Sequence, residues 1–354
     1  MEHNPDSSKE ARRPLIGMTL PELEQVAAAG RMPRFVAKQL AQWLYEKRVT
    51  SFSQMANISK KNQAWLEQFY TIGREEPARA QKSKDGTVKY LFRAGAGRYI
   101  ESVYIPDHDR ATLCVSSQVG CKMNCYFCAT GKLGFKANLS AAQIINQILG
   151  IPPEPQKGHE PMTPLTNVVF MGMGEPLDNL PELLKVIEIL TAPWGLAWSP
   201  KRITVSTVGK LPQLKELLDH TQVHVALSVH TADPQQRESM MPAQKAFPLT
   251  AVMKLLSAYD FAHQRRLSLE YIMWRNVNDD ITHADQLIKL IGKTPARVNL
   301  IRFHRVDGVD LHPASDDRML MFRSYLNDHG ITATIRTSRG EDIDAACGQL
   351  AAKR

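Results

Sequence analysis

The sequence has no apolar run approaching the ~18 residues needed to cross a bilayer. Its first residues, Met1 to Arg13, are polar and mixed in charge, which argues against export by a signal peptide. Neither GxGxxG nor GxxxxGK(S/T) occurs, so dinucleotide-binding and P-loop chemistry lose their main support. No solenoid-length repeat and no low-complexity tract is present. Cysteine is scarce and odd in number, at five: Cys114, Cys121, Cys125, Cys128 and Cys347. That is a poor disulfide framework for 354 residues and fits a reducing cytosol, with a metal or reactive-thiol role.

What is present is globular. Hydrophobic residues make up 43% and charged residues 23%, a balance that excludes a mostly disordered chain or a fibre. The length suits two domains, or one barrel with an appendage. The net charge of +8 permits a polyanionic partner without demanding one.

Residues 1–17 read as a flexible leader. A helical region follows over 18–80. Thr19 and Glu22 form a capping box for a first helix with Leu20, Leu23 and Val26 on its apolar face. Phe35, Leu40, Trp43 and Leu44 mark a second helix, and Trp65 and Phe69 a third. Ten Lys/Arg against seven Asp/Glu over 1–70 suit either a solvated face or RNA docking. Val88–Phe92 and Tyr99–Ile105 flank a Gly-containing turn and predict a hairpin, within a linker over 81–107.

From Ala111 strands alternate with amphipathic helices. Predicted strands are Leu113–Ser116, Asn167–Met171, Ile203–Ser206, Val223–Val229, Leu267–Ile272, Val298–Phe303 and Thr332–Ile335. Helices between them include Ala141–Leu149, Glu182–Leu190, Leu249–Tyr259 and Asp316–Asn327. The alternation argues an α/β parallel sheet, closed fully or partly into a barrel, over 108–347, with 348–354 as a tail.

Cys121-Lys-Met-Asn-Cys125-Tyr-Phe-Cys128 follows the first of those strands, where a βα barrel does its chemistry. Three close thiolates suit a soft metal. Structural zinc and a 4Fe-4S cluster both ordinarily take four protein ligands. With only three, one iron of such a cluster stays open to another ligand. Met171-Gly172-Met173-Gly174-Glu175-Pro176 follows the second strand; its glycines admit close backbone approach, and Glu175 can accept hydrogen bonds from an ammonium group.

The CxxxCxxC pattern, with Phe127 before the last Cys, resembles the radical-SAM signature, and the second motif resembles that superfamily's GGEP-like stretch. Glu101-Ser-Val-Tyr-Ile-Pro106, Cys114-Val-Ser-Ser-Gln-Val-Gly-Cys121 and Arg339-Gly-Glu-Asp-Ile-Asp-Ala-Ala-Cys347-Gly348 together resemble the adenine-C2 RNA methyltransferases, from about residue 18 to the C-terminus. The resemblance implies a radical-SAM partial (β/α) barrel behind a small helical RNA-docking domain and a connecting hairpin. Cys121, Cys125 and Cys128 would hold a 4Fe-4S cluster, and two S-adenosylmethionines would be consumed per methylation. Cys347 would carry the methyl group as S-methylcysteine. Cys114 would resolve the RNA adduct through a transient disulfide with Cys347. Glu101 would accept the C2 proton.

Gly174, Glu175, Ser206, Ser228, Val229, His230 and His304 would contact S-adenosylmethionine. Many relatives carry Asn-Pro where this chain has His304-Arg305, so His304 would have to substitute through a ring nitrogen. Implied partners are 23S rRNA, tRNA and an electron donor such as flavodoxin, for a cytoplasmic monomer with no membrane contact. The alternatives are C8 methylation of the antibiotic-resistance type, a zinc-stabilised RNA-binding protein without turnover, and an activase acting on a protein glycyl residue.

Overall fold

The computed structural model describes residues 12–151 and 162–352. Most of the expected leader and the last two residues of the tail lie outside those ranges. Ten strands form the main sheet: β1 (Arg79–Lys82), β2 (Val88–Arg93), β3 (Tyr99–Asp107), β4 (Arg110–Cys114), β5 (Leu165–Phe170), β6 (Ile203–Thr207), β7 (His224–Ser228), β8 (Leu267–Met273), β9 (Arg297–Arg302) and β10 (Ala333–Ile335). Each strand pairs with the one before it in the chain. Pairing is antiparallel from β1 to β4 and parallel from β4 to β10.

The parallel strands read as short runs of β-branched and aliphatic residues because both of their faces are covered. Val168, Ile203, Val205, Leu227, Leu269 and Leu300 have no accessible surface. Helices Ala141–Leu149, Leu180–Thr191, Leu211–His220, Leu249–Leu256, Ile281–Ile291 and Asp316–Asp328 connect the strands, and each packs on the next in sequence. The expected α/β partial barrel is the fold. The expected hairpin forms, with Val88 opposite Tyr104 and Arg93 opposite Tyr99. It continues into the sheet, however, because β3 pairs with β4 from Val103–Cys114 to Asp107–Arg110.

The helical region contains Leu20–Ala29, opened by the Thr19/Glu22 capping box, then Val36–Ala41 running into a π turn, then Lys60–Phe69. Residues 12–17 depart from the expected leader. Arg13–Pro14 pairs in parallel with Tyr70–Thr71, and Leu15 and Ile16 are buried. Burying two such side chains contributes about 1.5–3 kcal/mol each, enough to order a short polar-flanked segment. Gly17 (φ +87°) presses on the barrel, where a Cβ would stand 2.3 Å from the Ala142 nitrogen. Lys185 Nζ meets Glu22 at 2.7 Å across the same seam. No helix among the described residues is long and apolar enough to cross a membrane.

Candidate active site

The C-terminal ends of the parallel strands surround one cavity. Its walls include Cys121, Cys125 and Cys128, the turn Met171–Pro176, Ser206, Ser228, His230, Glu270 and Cys347. The sheet delivers these residues because every parallel strand ends on the same side.

The cysteine loop is closed at its base by the short antiparallel pair Gln118–Val119 and Ala137–Asn138. Gly120 (φ +71°) is obligatory there, since a Cβ would lie 1.8 Å from the Gly134 carbonyl oxygen. Burial pushes the Cys121 thiol up to about 11 and the Cys125 and Cys128 thiols upward as well. Such thiols ionise when a metal takes the sulfur. No three His, Cys, Asp or Glu side chains among the described residues are grouped as around one metal ion. An iron–sulfur cluster takes each thiolate on a different iron, so three thiols spread round one cavity wall suit it.

The glycine-rich turn lines the same cavity. A Cβ on Gly174 (φ +100°) would stand 2.5 Å from Gln118 Cβ, and one on Gly172 would stand 2.7 Å from Ser116 Oγ. Glu175 is buried, which pushes its carboxyl upward. Its Oε1 accepts from the Leu177 N–H at 3.1 Å and its Oε2 from the Val208 N–H at 3.0 Å. Thr207 adds a side-chain hydrogen bond to the same carboxylate, which, with four lone pairs in all, still has one for a further donor.

Ser206, Ser228 and His230 reach the cavity as expected. His230 Nδ1 accepts from the Ile272 N–H at 3.1 Å, and burial holds the ring's pKa down at about 3. The ring is therefore neutral, and it stands edge-on to Phe127 at 4.9 Å. Val229 is fully buried; its backbone carbonyl, with those of Ser228 and Val208, accepts from the buried Arg237 guanidinium. That guanidinium ties two strand ends together, so Val229 shapes the site through its backbone.

His304 follows β9, and its Nε2 lies 3.0 Å from Ser338 Oγ, with Glu341 Oε1 4.0 Å from Nδ1. The ring thus sits beside the loop that leads to Cys347.

That loop carries Cys347. Gly340 and Asp344 both adopt left-handed backbone, and the Gly340 N–H donates to Asp85 at 2.9 Å. Beyond the thiol, the Gly348 carbonyl accepts from the Ala129 N–H at 2.8 Å and the Leu350 carbonyl from Thr130 Oγ1 at 2.6 Å. The loop is thus fastened on both sides of Cys347, to Asp85 before it and to the cysteine-bearing segment after it. Cys347 is exposed and lines the cavity, while the surrounding protein pushes its thiol pKa up.

Cys114 ends β4 behind the cavity wall. Burial, then the neighbouring Cys347, push its thiol up to about 12. The Met171 N–H and the Arg336 guanidinium oppose that rise. Arg336 also favours the thiolate of Cys347. Glu101 does not line the cavity. Its carboxylate is buried beneath the C-terminal tail, with Lys89 Nζ 3.3 Å from Oε1 and the Ala351 N–H 2.9 Å from Oε2.

Glu270 escapes a motif-based search. It is buried; Oε1 accepts from Ser268 Oγ and Asn299 Nδ2, and Oε2 makes no hydrogen bond. Arg336 Nη1 stands 3.9 Å from Oε2. The available signal is a lone acid in the apolar run Leu267–Met273, a residue type almost never buried without a partner.

A profile of the radical SAM superfamily matches residues 115–288, and one of the ribosomal RNA large subunit methyltransferase N-terminal domain matches 14–72. A protein from Parabacteroides distasonis named probable dual-specificity RNA methyltransferase RlmN is 56% identical over 96% of both chains. The dual-specificity RNA methyltransferase RlmN of Geotalea uraniireducens is 41% identical over 94% of both. The crystal structure of a radical SAM methyltransferase from Sphaerobacter thermophilus superposes with a TM-score of 0.89 at 35% identity, over 96% of this chain and all of that one. The chain, similar to these proteins over nearly its whole length, belongs to the RlmN family of dual-specificity RNA methyltransferases within the radical SAM superfamily.

Proposed function

We propose that this chain methylates C2 of an adenosine in 23S rRNA and in tRNA, using Cys347 as a methyl carrier. The observation that carries the proposal is the meeting of Cys347 with Cys121, Cys125 and Cys128 round one cavity, with Cys114 as a close electrostatic neighbour of Cys347. An sp² C2 of adenine is no nucleophile, so a methyl group cannot simply be displaced onto it. A bound 4Fe-4S cluster with S-adenosylmethionine would supply the radical chemistry that the protein cannot.

Cys121, Cys125 and Cys128 hold that cluster. Gly174, Glu175, Ser206, Ser228 and His230 line the space beside it for S-adenosylmethionine, Glu175 offering its carboxylate to the ammonium group. Cys347 bears the one-carbon unit. Cys114 attacks the Cys347 sulfur, forming an S–S bond as the S–C bond to the base breaks; the electron pair stays on that carbon, which takes up a proton to become the methyl group, and a reductant returns the disulfide to thiols for the next turnover. Glu101 takes the C2 proton. The helical domain, with exposed Phe35 and Phe69 and its basic residues, docks RNA by shape and phosphate contact, in the cytoplasm. Reduction needs a donor of the flavodoxin type.

Protein purified without oxygen should be brown and hold about four irons per chain. Incubated with S-adenosylmethionine, reductant and 23S rRNA fragments, it should yield 2-methyladenosine, with methyl on Cys347 in the peptide mass. Finding 8-methyladenosine would overturn the regiochemistry; an unmethylated Cys347 beside a methylated base would overturn the carrier.

A further inference from the structure

Among the described residues, Lys89 is the cation paired with Glu101. Lys89 Nζ lies 3.3 Å from Glu101 Oε1, and the two side chains are 13% and 3% exposed. The sheet register sets this contact. Leu91 stands opposite Glu101 and Lys89 opposite Val103, so Lys89 and Glu101 share one face as diagonal neighbours. A buried carboxylate without a cation is costly, which makes this pair more than a surface ornament.

Lys89 has a second partner. The same Nζ donates to the Asp344 carbonyl at 3.3 Å, in the loop that leads to Cys347. Neighbouring contacts repeat the linkage. Ser83 Oγ donates to Asp342 Oδ1 at 2.5 Å, and the Lys84 N–H donates to Asp342 Oδ2 at 3.2 Å. The β1–β2 turn therefore clasps the Cys347 loop, and Lys89 is the point where that clasp meets Glu101. Lys89 does not line the cavity, so holding the cofactor does not explain it.

We infer that Lys89 is a positioning residue for proton removal. It fixes the Glu101 carboxylate and sets the Cys347 loop at a constant offset from it, so that the base and the carbon carrier address one adenine together. The inference rests on the roles of Glu101 and Cys347 proposed above. A lysine with a purely structural role would affect every step alike; this one should affect proton removal and spare methyl loading.

The test uses the cluster-loaded full chain with Lys89→Met, Lys89→Gln and Lys89→Arg. Cys347 methylation is read by peptide mass, and base methylation is timed on RNA carrying hydrogen or deuterium at the target C2. Lys89→Met should load Cys347 within about twofold of wild type, methylate RNA about tenfold more slowly, and show a larger deuterium effect than wild type. Lys89→Arg should recover most of the rate. Lys89→Gln keeps a donor without the charge and decides the question if the Met variant does not fold. An unchanged deuterium effect in the neutral variants, or loading and turnover falling together with no recovery by Arg, overturns the inference. A wild-type Cys347 that is never methylated would instead overturn the carrier role beneath it.

Discussion

The Ala351 N–H donates to Glu101 Oε2 at 2.9 Å, and the Ala352 N–H donates to the same oxygen at 3.0 Å. With Lys89 on the other oxygen, the carboxylate is enclosed by the chain's own C-terminal segment. In this arrangement it has no open side toward a substrate base. With Glu101 as the proposed proton acceptor, RNA binding would have to draw the tail away first.

Hydrogen exchange followed by mass spectrometry checks this. The C-terminal peptide containing Ala351 and Ala352 should be protected in the free protein and lose protection when Glu101 is replaced by Ala. A substrate RNA should have the same effect on wild type. Protection that ignores both would mean the tail is held elsewhere and is no obstacle.

Cys114→Ala should leave Cys347 attached to RNA, because the other thiols round the cavity, Cys121, Cys125 and Cys128, would be engaged by the cluster and could not attack its sulfur. Denaturing gels should show a protein–RNA adduct approaching one per active chain, while Cys347 methylation before RNA addition is unchanged. Recovery of free protein and methylated RNA at the wild-type rate would refute the resolving role. Removing this thiol from an apolar strand end should cost no more than about 1 kcal/mol of stability, so unfolding should not confuse the result.

Asp85 gives a pH-dependent prediction. Burial disfavours its ionised form, but the N–H groups of Gly340 and Thr87 outweigh that and hold its pKa down at about 2. A carboxyl lowered by folding stabilises the native state above its unfolded pKa, near 3.9, and loses that contribution as pH falls through 2. Asp85 is largely solvated, so the effect after screening is about 1 kcal/mol. Asp85→Asn should therefore melt about 2 °C lower than wild type at pH 6, with the gap closing between pH 4 and pH 2. A constant gap across that range would show that the carboxylate charge is not what fastens the Gly340 backbone.

Much of the barrel was legible because parallel strands impose runs of a distinctive composition. Predicted Leu267–Ile272 and observed Leu267–Met273 differ by one residue, and Ala141–Leu149 not at all. The cysteines were legible for a different reason. Thiol chemistry belongs to the residue type, so spacing alone narrows the possibilities. Lys89, Glu270 and Arg336 carry no such label. Their importance comes from neighbours that lie far away in sequence, such as Asp344 for Lys89 and Cys114 for Arg336. Leu15 and Ile16 were hidden because two apolar residues make no period, and only the pairing of the adjoining Arg13–Pro14 with Tyr70–Thr71 reveals how they are held.

The strictly sequential pairing of the ten strands has a consequence for biosynthesis. Each new strand finds its partner already made, so the sheet can grow in the order in which it leaves the ribosome, with short loop closures at each step. Cys121, Cys125 and Cys128 emerge early in that growth, whereas Cys347 emerges last. Nascent or truncated chains would thus present the three thiols proposed to hold the cluster before the thiol proposed to carry the methyl group exists, which would separate metal loading in time from any reaction with nucleic acid.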